Sequence, residues 1–282
     1  MRKLIRNGMI VGLTIGMLSA TAWAGRGGST IAIESAIASG SEQTVLAELE
    51  RAEKLACMSC VKPVLGLVDS PSYRVREAAG WWLTKRGVRD QVISQMEARL
   101  TASDPVAARN AADVLGGMRD YNTLSALSAY LAKPLDEASG IAAARAIGQI
   151  GHPLGLAALQ VAFASPLAGV RAASLAAVRE LRAKPGEKAV TSAQPLLPLF
   201  GDADVNVRRQ AVMTAGFVED RAAVGALSTL LTGDSSPLVR KAAAWALGQI
   251  GDAGAATALQ AATSDTDPLV RSVASAALGR LK

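Results

Sequence analysis

The chain has 282 residues, half of them apolar and only 4 % aromatic, with 30 Lys and Arg against 24 Asp and Glu, one histidine and two cysteines. A single histidine excludes His-pair metal sites and leaves any His-based triad resting on one residue, and a formal charge of only +6 argues against nucleic acid as a partner. Alanine supplies much of the apolar share; as the best helix former with a small packing radius, it predicts closely packed helices.

Residues 1–24, "MRKLIRNGMIVGLTIGMLSATAWA", place Arg2, Lys3 and Arg6 before an apolar run that ends in Ala22-Trp23-Ala24. That order predicts a secretory signal peptide cut after Ala24. The run falls short of the roughly 20 apolar residues a membrane span needs, so no stable membrane insertion is expected after cleavage. Loss of Arg2, Lys3 and Arg6 with the signal lowers the formal charge from +6 to +3. Gly25 at the new end offers no thiol for a lipid anchor, and the mature chain is expected in the periplasm or outside the cell, where thiols are oxidised.

Residues 25–56 read as a flexible leader, "GRGGST", and a capping pair of helices, since the end of a repeat stack must cover an apolar face. The only cysteines follow in "LACMSC", Cys57 and Cys60. Haem attachment needs a histidine directly after the pair, and Val61 stands there. Zinc would need two further ligands, and a thioredoxin-like centre needs a strand–helix–strand setting that helical repeats lack. A structural disulfide at the seam between cap and first repeat is the expected state; a redox centre or a metal ligand pair are the alternatives.

From there to Lys282 the chain repeats itself. The stretches "ADVNVRRQAVMTAGFVE" after Asp202, "SPLVRKAAAWALGQIG" from Ser236 and "TDPLVRSVASAALGRLK" after Asp265 align, and weaker copies precede them. Anchored on the arginine of Val-Arg, the copies fall at Arg76, Arg109, Gly140 (where arginine is missing), Arg171, Arg208, Arg240 and Arg271, with steps of 33, 31, 31, 37, 32 and 31 residues. Each copy predicts two helices: an apolar one such as "AVGALSTLL", an Asp/Ser turn with proline in the next first turn, then a second helix through V-R-x-x-A-x-x-x-L-G. Residues one before, three after and seven after the anchor share one face, as do Val239, Ala243 and Leu247, and a lone hairpin cannot bury it. The long step falls in "RAKPGEKAVTSAQP", residues 182–195, which reads as a solvated insertion.

The pattern D-x-x-P-x-V-R-x-x-A-x-x-A-L-G at about 31 residues resembles the HEAT repeat, in the short alanine-rich bacterial form also seen in phycobilin-lyase-like proteins, over residues 57–282. The resemblance implies an all-α, right-handed α-solenoid of about seven hairpins behind an N-terminal helical cap. It also implies a structural ladder in which the turn aspartates Asp202, Asp234 and Asp265, six residues before Arg208, Arg240 and Arg271, bridge neighbouring hairpins.

No phosphate-binding glycine loop, dinucleotide fingerprint or nucleophile elbow occurs, so no cofactor, metal or catalytic residue is assigned, and His152 in "GQIGHPLG" reads as a turn residue. Binding is expected on the concave side, which second helices line in such stacks. Five residues past the anchor, about 200° from the buried face, stand Trp81, Val114, Arg145, Ala176, Met213, Trp245 and Ala276; Glu77, Arg209 and Lys241 lie beside them. Tryptophan and arginine dominate binding hot spots. The candidate partner surface is therefore Trp81, Arg145, Met213, Trp245, Glu77, Arg209 and Lys241, in an exported, non-enzymatic scaffold for a protein or peptide. The alternatives are a periplasmic thiol-disulfide protein using Cys57 and Cys60, and a chaperone or lyase-like factor for a cofactor-bearing client.

Overall fold

A computed structural model describes residues 30–55, 57–182 and 187–281. The predicted signal at 1–24, most of the leader and part of the 182–195 insertion lie outside the described residues. Two short helices come first, α1 (Thr30–Ala38) and α2 (Glu42–Arg51). Seven hairpins follow. They pair α3 (Val61–Gly66) with α4 (Tyr73–Thr84), α5 (Arg89–Leu100) with α6 (Pro105–Met118), and α7 (Leu124–Ala132) with α8 (Glu137–Ile150). Next come α9 (Leu156–Val161) with α10 (Ala168–Val178), and a 3-10 segment, Gln194–Gly201, with α11 (Val205–Val218). The last two pair α12 (Val224–Gly233) with α13 (Pro237–Ile250) and α14 (Ala256–Ala262) with α15 (Pro268–Leu278). The fold is an all-α solenoid, and no strand occurs among the described residues.

Local chemistry sets the helix ends. Asp104, Asp204 and Asp267 each accept two backbone N–H groups at the start of α6, α11 and α15, and Pro105, Pro237 and Pro268 occupy first turns where a missing N–H costs nothing. α8 and α13 stop at Gly151 and Gly251, both at left-handed φ near +70°, which glycine adopts without strain. The next first helix then opens on a side-chain cap: Asp120, Asp220 and Asp252 each accept the amide two residues on. His152 holds the same register and uses Nδ1 for the same bond, to Leu154 N at 3.3 Å.

Second helices pack on second helices, α4 on α6, α6 on α8, and so on to α15, and this row holds most of the core. The approach is close because a glycine near the ends of α6, α8, α11 and α13 faces an alanine of the next second helix. A Cβ on Gly116, Gly148, Gly216 or Gly248 would come within 3.0 Å of Ala146, Ala177, Ala246 or Ala277. Between α10 and α11 this breaks: Arg179 stands in the glycine register and meets Thr214, at the junction that also carries the insertion.

Candidate functional site

The arginine ladder is built from three repeating bonds. Arg208 and Arg240 grip the carboxylates of Asp234 and Asp265 in the next repeat with two bonds each, 2.8–3.1 Å long, and Arg171 does the same to Asp202. Each carboxylate also accepts a turn amide, from Asp204, Ser236 or Asp267. An arginine reaches its own repeat's aspartate only through the backbone carbonyl, as Arg208 to Asp202 O at 2.8 Å. Arg171 therefore opens the ladder, and Arg271, which binds the carbonyls of Asp265 and Thr266, has no carboxylate partner among the described residues.

Protonation should weaken these rungs. The Arg240 hydrogen bond leads in holding Asp265 down at about 2, with the Asp267 amide adding to it against burial. Burial alone would raise Asp202 and Asp234, but Arg171 and Arg208 together with the turn amides outweigh it and lower both. A carboxyl whose folded pKa lies below its unfolded value stabilises fully above roughly pH 4, and that contribution fades as pH falls toward the folded value. Asp265→Asn is expected to flatten the stability–pH curve between about pH 4 and 2 relative to the parent chain; an unchanged slope in urea titrations over that range would contradict the ladder's role.

Near the front of the stack the ladder is rerouted. Arg76 keeps its bonds to the Ser70 and Pro71 carbonyls, but its guanidinium turns to Asp113 on α6, at 2.5 and 2.9 Å. Asp113 is fully buried and receives a second arginine, Arg145 from α8, which also bonds Glu77 at 3.1 Å and lies over the Tyr73 ring. Gly140 faces Val170 and Pro134 where an anchor arginine would need room. Asp113 was legible in hindsight: it is the one acid at a register held elsewhere by Gly80, Ala144, Leu175, Val212, Ala244 and Ser275.

The second-helix face carries two clefts of about 530 Å3 each. The first lies over α2, α4, α6 and α8, with Leu46, Glu50, Arg74, Glu77 and Trp81 among its walls. The second lies over α11, α13 and α15 and brings together Arg209, Met213, Lys241 and Trp245 with Leu238 and Leu269. Thus the seven candidate surface residues separate. Trp81 and Glu77 go to the first cleft, four go to the second, and Arg145 has its charge taken up by Asp113 and Glu77.

Trp81 is half-buried with Lys85 Nζ 4.5 Å from its ring, whereas Trp245 is 37 % exposed and lies across Gly216 of the preceding helix. Val114 corrects the expectation that the fifth residue past the anchor always faces outward. It is fully buried, because glycines on both sides let the backbones meet: a Cβ on Gly80 would lie 2.2 Å from Val114 O, and one on Gly117 2.1 Å from Glu77 O.

The family model for HEAT repeats matches residues 93–179 and 193–279, well over half of the chain. The chain belongs to the HEAT-repeat family. A solved mutant of Kap121p shares this solenoid fold with a TM-score of 0.54 at 14 % identity, over 88 % of this chain and 33 % of that one. Human deoxyhypusine hydroxylase in complex with glycerol matches at 22 % identity and TM-score 0.39, covering 90 % of this chain and 98 % of that one. An engineered protein matches at 19 % identity and TM-score 0.49, over 89 % and 77 %. No curated protein matches the chain.

Within the HEAT-repeat stack the remaining candidates have structural places. Cys57 and Cys60 form a disulfide between α2 and α3, both residues buried, and Thr30 of α1 bonds Ser59 between them at 2.6 Å. Burial of both sulfurs withholds them from the partner a thiol-exchange centre must reach. His152 stacks on Tyr121 with ring centroids 5.4 Å apart. Among the described residues no group of three His, Cys, Asp and Glu could hold a metal, and no helix is long and apolar enough to cross a membrane.

Proposed function

We propose that this HEAT-repeat chain is an exported scaffold that binds a protein or peptide on its second-helix face and performs no chemistry of its own. One observation carries the reading: two clefts on the same face, each walled by a tryptophan from the same repeat register, Trp81 and Trp245. A stack of hairpins buries its core between neighbours and leaves this long face open, and large apolar groups set among charges are what such a face offers a partner. Export is supported by the signal-like order of residues 1–24 and by the paired state of the two cysteines, which suits an oxidising compartment.

The test places a photo-crosslinking residue at Trp81, Trp245 or, as a control, at Thr229, which is exposed on α12. Irradiated cells are expected to give protein adducts from the first two positions and not from the third, on a mature chain beginning at Gly25. Equal adducts from all three, or none, would overturn the assignment of the face.

A further inference from the structure

The two clefts differ in charge. The second helices of the first three repeats carry acids, Glu77, Asp113 and Glu137, whereas α10, α11, α13 and α15 contain no aspartate or glutamate at all. Three of their anchor arginines, Arg171, Arg208 and Arg240, are neutralised by the ladder, and Arg271 bonds backbone carbonyls. The cations that line the second cleft are not. Arg209 reaches only the Asn206 side-chain oxygen at 2.7 Å and the Met213 sulfur at 4.0 Å, and Lys241 has no carboxylate partner among the described residues. A third cation stands at their edge: Arg179, at the C-terminus of α10, donates to Gln210 Oε1, Thr214 Oγ1 and the Leu175 carbonyl, all neutral. Burial leads in lowering its pKa, and Arg209 adds to that against Glu180, so these charges repel across the α10–α11 seam.

Between the cations the floor is apolar. Trp245, Leu238 and Leu269 are each more than a third exposed, with Met213 and Val273 beside them. A bare anion would neutralise the charges and leave this surface wet, and a nucleic-acid backbone would want more phosphate contacts than a few cations supply. A peptide with both properties answers the whole cleft. We propose that the cleft over α11, α13 and α15 binds an acidic peptide segment, whose large apolar side chains cover Trp245 and Met213 while its carboxylates pair with Arg209 and Lys241. Packed helices stand about 10 Å apart, so the two carboxylates should be separated by about that distance, roughly three residues of extended chain. This rests on the second-helix face being the partner surface.

The full chain is titrated against a fluorescent peptide of leucines and glutamates, followed by anisotropy. The comparison peptides have lysine for each glutamate, or serine for each leucine, and a single-stranded oligothymidine is a further arm. The leucine–glutamate peptide is expected to bind about tenfold or more tighter than the others, and to weaken by about tenfold between about 0.01 M and about 1 M salt. Arg209→Glu with Lys241→Glu, and separately Trp245→Ala, should each cost about tenfold, with Thr229→Ala, exposed on α12 away from the cleft, as the silent control and unfolding curves reporting that the variants stay folded. Equal binding of the lysine peptide, tighter binding of the oligonucleotide, no effect of the charge reversals or no binding at all would overturn the proposal. If crosslinks at Trp245 form while the acidic peptide fails, the partner chemistry is wrong and the face stands; if no crosslinks form, the face itself fails.

Discussion

Replacing Asp113 by alanine is expected to cost about 3–5 kcal/mol of stability, read as a lower urea midpoint at unchanged slope. The physical reason is asymmetric. Asp113 has no exposed side-chain surface and Arg76 only 3 %, so the alanine variant strands a guanidinium in the core with its carbonyl bonds to Ser70 and Pro71 and no counter-charge. Arg145 suffers less, being about a third exposed and still bonded to Glu77. Joint replacement, Asp113→Leu with Arg76→Met, should therefore lose much less than Asp113→Ala alone, because a buried ion pair returns little over well-packed apolar groups once its desolvation is counted. A single variant as stable as the parent, or a double variant worse than the single, would contradict this account of the core.

Gly117→Ala is expected to destabilise by about 2–3 kcal/mol, although alanine is the better helix former. An added methyl would lie 2.1 Å from the Glu77 carbonyl oxygen and 2.8 Å from the Glu77 Cα, and backbone cannot swing aside as a side chain can. Gly80→Ala should behave alike, against Val114 O at 2.2 Å. Gly225→Ala provides the opposite sign: nothing lies within 4 Å of its Cβ position in α12, so a gain of up to about 1 kcal/mol is expected from helix propensity. Thermal or urea midpoints of the three variants, compared with the parent, check the order. The α4–α6 contact is the tightest backbone approach among the glycines, and it also explains why Val114, outward by helical phase, ends buried.

These two sites lie among the first three repeats, where the pattern is least regular, and the cleft proposed for the acidic segment lies in the last three, where it is most regular. Regularity repeats one residue choice at one register. It puts cations at Arg209 and Lys241 one position past the anchor, and omits acids from four successive second helices. Irregularity marks the places where the chain departs from the stack. Asp113 in an apolar register recruits two arginines, and Arg179 in a glycine register props the α10–α11 seam on Gln210 and Thr214.

By itself the sequence determined everything that is local and periodic: helical hairpins in a fixed register, aspartate and proline at the starts of second helices, and glycines near their ends. These follow from bonds spanning a few residues, and the same short pattern, with departures, recurs in seven hairpins. It also named the tryptophans and cations of the second-helix face, since helical phase sets that face apart from the core at most repeats, Val114 being the exception. Only the tertiary structure decided which carboxylate each arginine takes. Asp202 lies six residues before Arg208 but pairs with Arg171, thirty-one before it, because the next hairpin's turn comes down on the preceding repeat's second helix. Likewise the tertiary structure divided the tryptophan stripe, covering Trp81 with Lys85 and leaving Trp245 open over Gly216. Phase along one helix fixes which way a side chain points, but how close the neighbouring helix comes decides whether it meets protein or water.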